Sequence, residues 1–204
     1  MNILVLSPYP QALFDTLGAS GDKTISTSGP VDLAYCHANG VDWIVSYGYR
    51  RMLRGKLVTE YDRRAVNLHI SYLPWNRGAD PAFWSWFDHT PHGVTVHFID
   101  EGMDTGDIVD QELVSFSGSE TLASSYRTLR QRVEGMFSRL WPPLRTGEIA
   151  GTKQRGLGSF HRSTDKKHLF EQLSEGWETP VREVAWLGRE SQMRGSACQR
   201  LPCL

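Results

Sequence analysis

Short apolar runs separated by polar, turn-rich stretches set the rhythm of the first half of the chain. NILVL at 2–6 is continuous, apolar and closed by Ser7-Pro8, as expected of a buried strand. VDWIVSYGY (41–49) holds a second such run and RAVNLHI (64–70) a third. Between the first two, VDLAYCHANG (31–40) predicts a short helix stopped at Gly40. HGVTVHFID (92–100) alternates as a strand should, and GDIVDQELVSF (106–116) reads as one more strand nearer an edge. DPAFWSWFD (80–88) offers Asp as an N-cap and Pro at the first helical position.

The strongest helical pattern comes later. Leu122, Tyr126, Leu129, Val133, Phe137 and Leu140 recur every three or four residues, Ser117 and Glu120 have capping-box spacing, and Pro142-Pro143 should end or kink the helix. Buried strands interleaved with helices predict an α/β protein, a doubly wound sheet with helices on both faces. From residue 150 the pattern turns polar, glycine-containing and only intermittently periodic. We therefore expect a main domain at 1–149 and a short irregular C-terminal extension at 150–204. Short helices are expected near 165–174 and 179–188, with a loosely attached tail from Glu190.

Charge narrows the function. The 204 residues carry 22 basic and 23 acidic side chains, a formal charge of −1, without a long run of either sign. Wholesale phosphate neutralisation, and with it a nucleic-acid partner, is not expected. Cys36, Cys198 and Cys203 lack metal-site spacing and cannot all pair within one chain, which fits a reducing cytoplasm. The apolar start is too short for a signal peptide and nothing approaches transmembrane length, so no membrane partner is expected. Monomer and homodimer both remain open.

The chemistry concentrates in NLHISYLPWNRGADP (67–81). Residues two apart on a strand face the same side, so Asn67 and His69 can converge on one point at the carboxyl end of a strand, where open α/β sheets bind ligands. Histidine suits proton transfer near neutral pH, and an asparagine amide can donate to a developing oxyanion. The acid that would orient the imidazole is to be sought in IDEGMDTGDI (99–108), which offers Asp100, Glu101, Asp104 and Asp107. Residue logic alone does not choose among the four. The spacing is not that of a calcium loop, and no Cys/His cluster has zinc spacing, so no metal is expected. The aromatic run FWSWF (83–87) puts Phe83 and Phe87 on one helical face, an arrangement that favours a core role over ligand stacking. Trp75 and Arg77, in the loop directly after His69, are the better substrate candidates.

These motifs, in this order, resemble the folate-dependent N-formyltransferases. NLHISYLP (67–74), WNRG (75–78) and GMDTGDI (102–108) match the family's Asn-x-His strand end, Ser-x-Leu-Pro turn, Arg-Gly loop and Asp-x-Gly-Asp-Ile-like element, within a similarity running from about residue 40 to about 145. The resemblance implies a Rossmann-like sheet and formyl transfer from 10-formyltetrahydrofolate to a primary amine. It assigns Asp104 as the catalytic acid beside Asn67 and His69. Asn67, with His69, would stabilise the oxyanion of the tetrahedral intermediate; His69, directly or through water, would take the amine's proton; Asp104 would orient His69 and raise its basicity. It further implies that Tyr49, Arg51 and Leu53 form one wall of the folate site and Ile99, Asp100, Gly102 and Met103 the other. Among subgroups, the sequence looks most similar to small sugar N-formyltransferases acting on nucleotide-linked 4-amino sugars. Formylation of a carrier-bound aminoacyl group or of another small amine, and a silent folate-binding module, are the alternatives. Fewer than 45 residues precede WIVSYGY, so a strand or helix of the family's usual folate-binding domain is expected to be trimmed.

Overall fold

The computed structural model describes residues 1–198, with side chains through Met193. The strands are β1 (Asn2–Leu6), β2 (Lys23–Thr27), β3 (Trp43–Tyr47), β4 (Ala65–His69), β5 (Arg77–Gly78), β6 (Gly93–Phe98), β7 (Ile108–Leu113) and β8 (Phe160–His161). The helices are α1 (Gln11–Ala19), α2 (Leu33–Ala38), α3 (Lys56–Glu60), α4 (Pro81–Phe87), α5 (Leu122–Arg145), α6 (Lys167–Phe170) and α7 (Val181–Cys198). Six strands form the central sheet in the order β2-β1-β3-β4-β6-β7. The first four run parallel; β6 pairs antiparallel to β4 and β7 antiparallel to β6.

Alternation along each strand feeds two cores. Ile3, Val5, Trp43, Val45, Val66, Leu68, Val94, Val96 and Phe98 pack with α1 and α5. Leu4, Leu6, Ile44 and Ala65 pack on the opposite side with Cys36 of α2 and Leu57 and Val58 of α3. Helices on both faces of a Rossmann-like sheet are the predicted fold class.

The N-terminal stretch is not trimmed in the way expected. β1, α1, β2 and α2 all precede β3, and the brevity comes from short elements: α1 has 9 residues and β2 has 5. Neither α1 nor β2 is among the predicted elements. The reason is weak apolar signal, since α1 buries only Leu13 and Leu17 and β2 is a partly exposed edge strand.

Two boundary expectations also change. Ser117 and Glu120 do not cap α5. They form their own turn, in which Glu120 accepts the Ser117 and Gly118 amides, and the capping box belongs to Thr121 and Ser124. The helix then runs through Pro142 and Pro143 to Arg145. Each proline removes an N–H that would bond the carbonyl four residues earlier and crowds that carbonyl, and tertiary anchors override this cost. Trp141 and Leu144 are buried, and Trp141 Nε1 and Arg145 Nη2 both donate to Asp22, at 2.9 and 2.7 Å.

The segment from 150 onward packs closely on the domain. β8 pairs parallel with β5, and Leu173 and Val184 join the cluster of Phe83, Trp84 and Phe87. That aromatic run is core, with Phe83 and Phe87 stacked at 5.8 Å. α6 is shorter than predicted and α7, at 18 residues, is longer, continuing into the stretch expected to be a loose tail. Residues 199–204, including Cys203, lie outside the described residues. Among the described residues no helix is long and apolar enough to cross a membrane.

Candidate active site

Sheet register builds the base of the site. β3 sets Ser46 beside Asn67, and β6 sets His97 opposite Asn67. Because side chains two apart share a face, Asn67, His69, Thr95 and His97 lie on the α2/α3 side, while Val66, Leu68, Val94 and Val96 lie in the α5-side core. The same face is apolar at Leu4 and Ile44 and becomes polar at Ser46, Asn67 and His97. This polar row sits where the parallel half of the sheet gives way to the antiparallel half.

The loop from Ile99 to Asp107 brings the acid to that row. Asp100 Oδ1 accepts from the Gly102 amide at 3.1 Å and from Thr105 Oγ1 at 2.7 Å, folding the loop on itself. Gly106 is needed because any Cβ there would overlap the Phe98 carbonyl. Asp104 takes a left-handed backbone, φ 53°, a region that Asp visits more readily than most residues. Its Oδ2 accepts the Gly78 amide at 2.8 Å and its Oδ1 accepts from Asn67 Nδ2 at 3.1 Å. His97 Nε2 stands 3.5 Å from Oδ1 and His69 Nδ1 stands 3.7 Å from Oδ2. Of the four candidate acids, Asp104 is the one that meets both histidines. Asp107 instead pairs with Arg63 and Lys153, and Glu101 accepts the Gly55 amide.

One proton arrangement satisfies all these contacts. His97 Nδ1–H donates to the Phe98 carbonyl at 2.7 Å, leaving Nε2 to accept from Asn67 Nδ2 at 3.3 Å. His69 Nε2–H donates to the Asn76 carbonyl at 3.0 Å, leaving Nδ1 facing Asp104 without a hydrogen bond. The imidazole is thus oriented by a backbone carbonyl, and the carboxylate supplies charge beside its open nitrogen. Burial pushes His69 below the ordinary imidazole value, only partly offset by the Asp104 charge. Burial alone would raise Asp104, but the facing His69 and His97 rings and the Gly78 amide hold its carboxyl well below the usual carboxylate range. Near neutral pH the site is a carboxylate beside a neutral, proton-ready imidazole.

Above the polar row lies an open cleft of about 430 Å³, including the space at its mouth. Tyr49, Arg51, Met52 and Leu53 line one side; Ile99, Gly102 and Met103 line the other; Ser46, Asn67, His97 and Asp104 form its base. The two walls are tied by Gly55 N–H donating to Glu101 Oε2 at 3.3 Å. Among the described residues the main chain of 49–53 makes no backbone hydrogen bond, so its N–H and C=O groups are free to pair with a ligand or water. The residues expected at the folate walls therefore meet at one cleft, except Asp100, whose carboxylate is spent on its own loop. His69, almost fully buried, stands behind Asp104 and is not among the lining residues. Trp75 and Arg77 are not lining residues either. Trp75 is 37% exposed, and Arg77 Nε and Nη2 donate to Gln154 Oε1 at 3.1 and 2.7 Å. Ser46, Met52 and His97 were not singled out in the sequence. A signal existed for His97: it and Thr95 are the polar alternates of an otherwise valine-rich strand, but their neighbour Asn67 is fixed only by register.

Comparison with known proteins bears on this site. The sequence matches the formyl transferase family over residues 31–140, more than half of its length. The chain belongs to the formyl transferase family. This family member is 40% identical to the formyltransferase PseJ from Anoxybacillus kamchatkensis, solved in complex with UDP-4,6-dideoxy-4-formamido-L-AltNAc and tetrahydrofolate. That likeness covers 92% of this chain and 100% of the other, with a TM-score of 0.88. It is also 32% identical over 117 residues to phosphoribosylglycinamide formyltransferase of Bacillus subtilis (strain 168). The match spans 57% of each of the two proteins, so the chain covers little more than half the length of this curated relative. A 4-N formyltransferase from Francisella tularensis shares the fold, with a TM-score of 0.75 at 19% identity and coverage of 91% of this chain and 86% of that one.

Proposed function

We propose that this protein transfers a formyl group from 10-formyltetrahydrofolate to the 4-amino group of a nucleotide-linked amino sugar. The observation that carries the formyl-transfer reading is the cleft itself. An apolar slot with unpaired main-chain groups suits a flat, hydrogen-bonding ring system, and its base presents the Asn67 amide, the His97 imidazole and an ionised carboxylate, with His69 behind that carboxylate. The folate, when bound, supplies the formyl carbon; Leu53, Ile99, Met103 and the main chain of 49–53 would hold it.

The chain's own groups meet the two demands of amine acylation. As the amine attacks, the formyl oxygen gains negative charge and the nitrogen becomes acidic. Asn67 Nδ2 carries the donors nearest the cleft, and its longer bond, to His97, is the one that turns toward that oxygen. His69 Nδ1 is the proton acceptor, reached through water or across the Asp104 face because the ring stands one layer behind the cleft. The proton it receives lies beside the Asp104 carboxylate, which stabilises the imidazolium until that proton passes to the departing folate nitrogen as its bond to the formyl carbon breaks. Neither step calls for a Lewis acid.

The sugar substrate is supported by the likeness to PseJ, which extends over nearly the whole chain. The likeness to the phosphoribosylglycinamide enzyme favours a second reading, a phosphoribosyl-linked amine, but stops at 57% of the chain. Purified protein would be offered 10-formyltetrahydrofolate with UDP- and dTDP-linked 4-amino-4,6-dideoxyhexoses, the free amino sugars, phosphoribosylglycinamide and a carrier-bound amino acid. Products would be read by mass for a single added formyl group. Turnover of a nucleotide-linked sugar is the expected result. Turnover of another amine alone would overturn the sugar assignment and leave formyl transfer standing. Absence of transfer to every amine, with folate still bound, would leave a binding module.

A further inference from the structure

The segment that follows α5 crosses the site rather than leaving it. Arg63 holds it at the Ala150 carbonyl, and Thr152 exchanges backbone hydrogen bonds with Ile108 at 2.7 Å each way. At its far end Arg77 N–H donates to the Ser159 carbonyl, and β8 pairs with β5. Gln154 lies between these anchors, with all of its side-chain hydrogen-bonding capacity filled. Its Oε1 accepts both Arg77 bonds, while its Nε2 donates to the Asp104 carbonyl at 2.8 Å and the Gly106 carbonyl at 2.9 Å.

We propose that Gln154 is a positioning residue for Asp104, so that the 150–161 segment is a working part of the active site. The hydrogen bonds close a ring. Asp104 Oδ2 is held by the Gly78 amide, Gly78 follows Arg77, Arg77 grips Gln154, and Gln154 grips the main chain of Asp104. The carboxylate is therefore fixed at both its side chain and its backbone by two segments that Gln154 joins. Gly78, with φ 90°, has no room for a Cβ against the His161 carbonyl, so the segment lies directly against the residue whose amide holds Asp104. The same segment holds the other partner. Ser159 Oγ accepts the Asn76 amide at 2.8 Å and donates to Asn76 Oδ1 at 3.0 Å, and Asn76 supplies the carbonyl that orients His69. A side chain more than fifty positions from Asn67 and His69 thus sets the spacing on which their chemistry depends.

The inference rests on the reading of Asp104 and His69 as formyl-transfer groups, and the test separates the two. Gln154→Glu is isosteric and keeps the acceptor for Arg77 but loses both donors to the Asp104 loop; Gln154→Leu loses everything. Wild-type formyl transfer is measured first, and its absence would overturn the functional reading alone. In both variants kcat should fall about 10- to 100-fold while KM for amine and folate stays within about 3-fold, the signature of misplaced reacting groups. Independently of any substrate, NMR titration of the His69 ring should move to lower pH in Gln154→Leu, which displaces the Asp104 charge without adding another. The charged and titratable groups facing that ring are Asp104 from the 99–107 loop and His97 from β6, with the Asn76 carbonyl opposite, and only Asp104 is displaced. Unchanged kcat would overturn the inference. So would a fall in kcat with the His69 titration of Gln154→Leu unmoved. Gln154→Glu guards against loss of the fold, and its urea midpoint should remain near that of the wild type.

Discussion

Replacing Asp104 by Asn removes one negative charge from a buried cluster while keeping its shape. The magnitude follows from the geometry. A unit charge 3.7 Å from His69 Nδ1 is worth about 4 kcal/mol to an imidazolium there, taking an effective dielectric constant of about 20. If that stabilisation is expressed in the transition state and not before, its loss slows the reaction about 10³-fold. This lies inside the range of about 10² to 10⁴ expected when an acid–base group is disabled. A second effect concerns stability. The carboxylate accepts the Gly78 amide on one oxygen and Asn67 Nδ2 on the other. An Asn amide, however flipped, points its NH₂ at one of those donors, leaving a buried donor unmatched at a cost of about 1–3 kcal/mol. Steady-state turnover with both substrates saturating measures the first effect, and urea unfolding measures the second. The protein should remain folded at neutral pH with kcat near a thousandth of the wild-type value. Turnover within about threefold of wild type would refute the placement of charge beside His69 as the source of rate. Loss of folding with normal turnover in the surviving protein would assign Asp104 to structure instead.

Much of this was legible in the sequence, for physical reasons that differ from residue to residue. β1 and β3 could be read because strands buried on both faces are near-continuous apolar runs, and β4 because Val66 and Leu68 alternate with its polar residues. Asn67 and His69 could be paired because strand geometry alone puts alternate residues on one face. The choice of Asp104 came from motif resemblance, and the structure supplies its cause: a loop folded by Asp100 and relieved at Gly106 turns that carboxylate, and not its neighbours, toward the histidines. His97 was hidden because its partnership with Asn67 depends on β6 pairing with β4 antiparallel, a long-range fact. Gln154 was hidden more deeply. It lies in a polar, aperiodic segment whose order comes from hydrogen bonds to three other parts of the chain, and hydrophobic periodicity carries no trace of such order. The Pro142-Pro143 stop failed for a related reason, since local propensity yielded to Trp141 and Arg145 anchored on Asp22. Arg77 illustrates the limit of position as evidence. Its place after the His69 strand made it a substrate candidate, yet its guanidinium is taken up by Gln154.

Two further outcomes are expected. Exhaustive dialysis against a strong chelator, with the metal content then measured, should leave formyl transfer unchanged. The described residues contain no group of three or more His, Cys, Asp or Glu placed to hold an ion, so activity rescued by one metal alone would overturn the mechanism. Acid should weaken the fold before the carboxylates titrate, chiefly through His92. This ring packs 3.9 Å from Trp86, accepts or donates at Ser85 Oγ, and is pushed by burial from 6.5 down to about 4. Above pH 6.5 neither state carries the proton and stability is unaffected. Between 6.5 and about 4 the unfolded chain takes up a proton that the folded chain refuses, so stability falls, by about 3 kcal/mol at the lower end. His69, lowered in the same direction, steepens that fall, whereas Asp104 acts only below the usual carboxylate range. His92→Phe keeps the contact with Trp86 and Phe116 and leaves Ser85 its bond to the Ala82 carbonyl, so it should fold. Urea unfolding followed from pH 7 to pH 4 should then show a shallower decline than the wild type. An identical slope would mean that His92 takes up its proton at the same pH in the folded and unfolded chain, and that its aromatic pocket does not exclude charge.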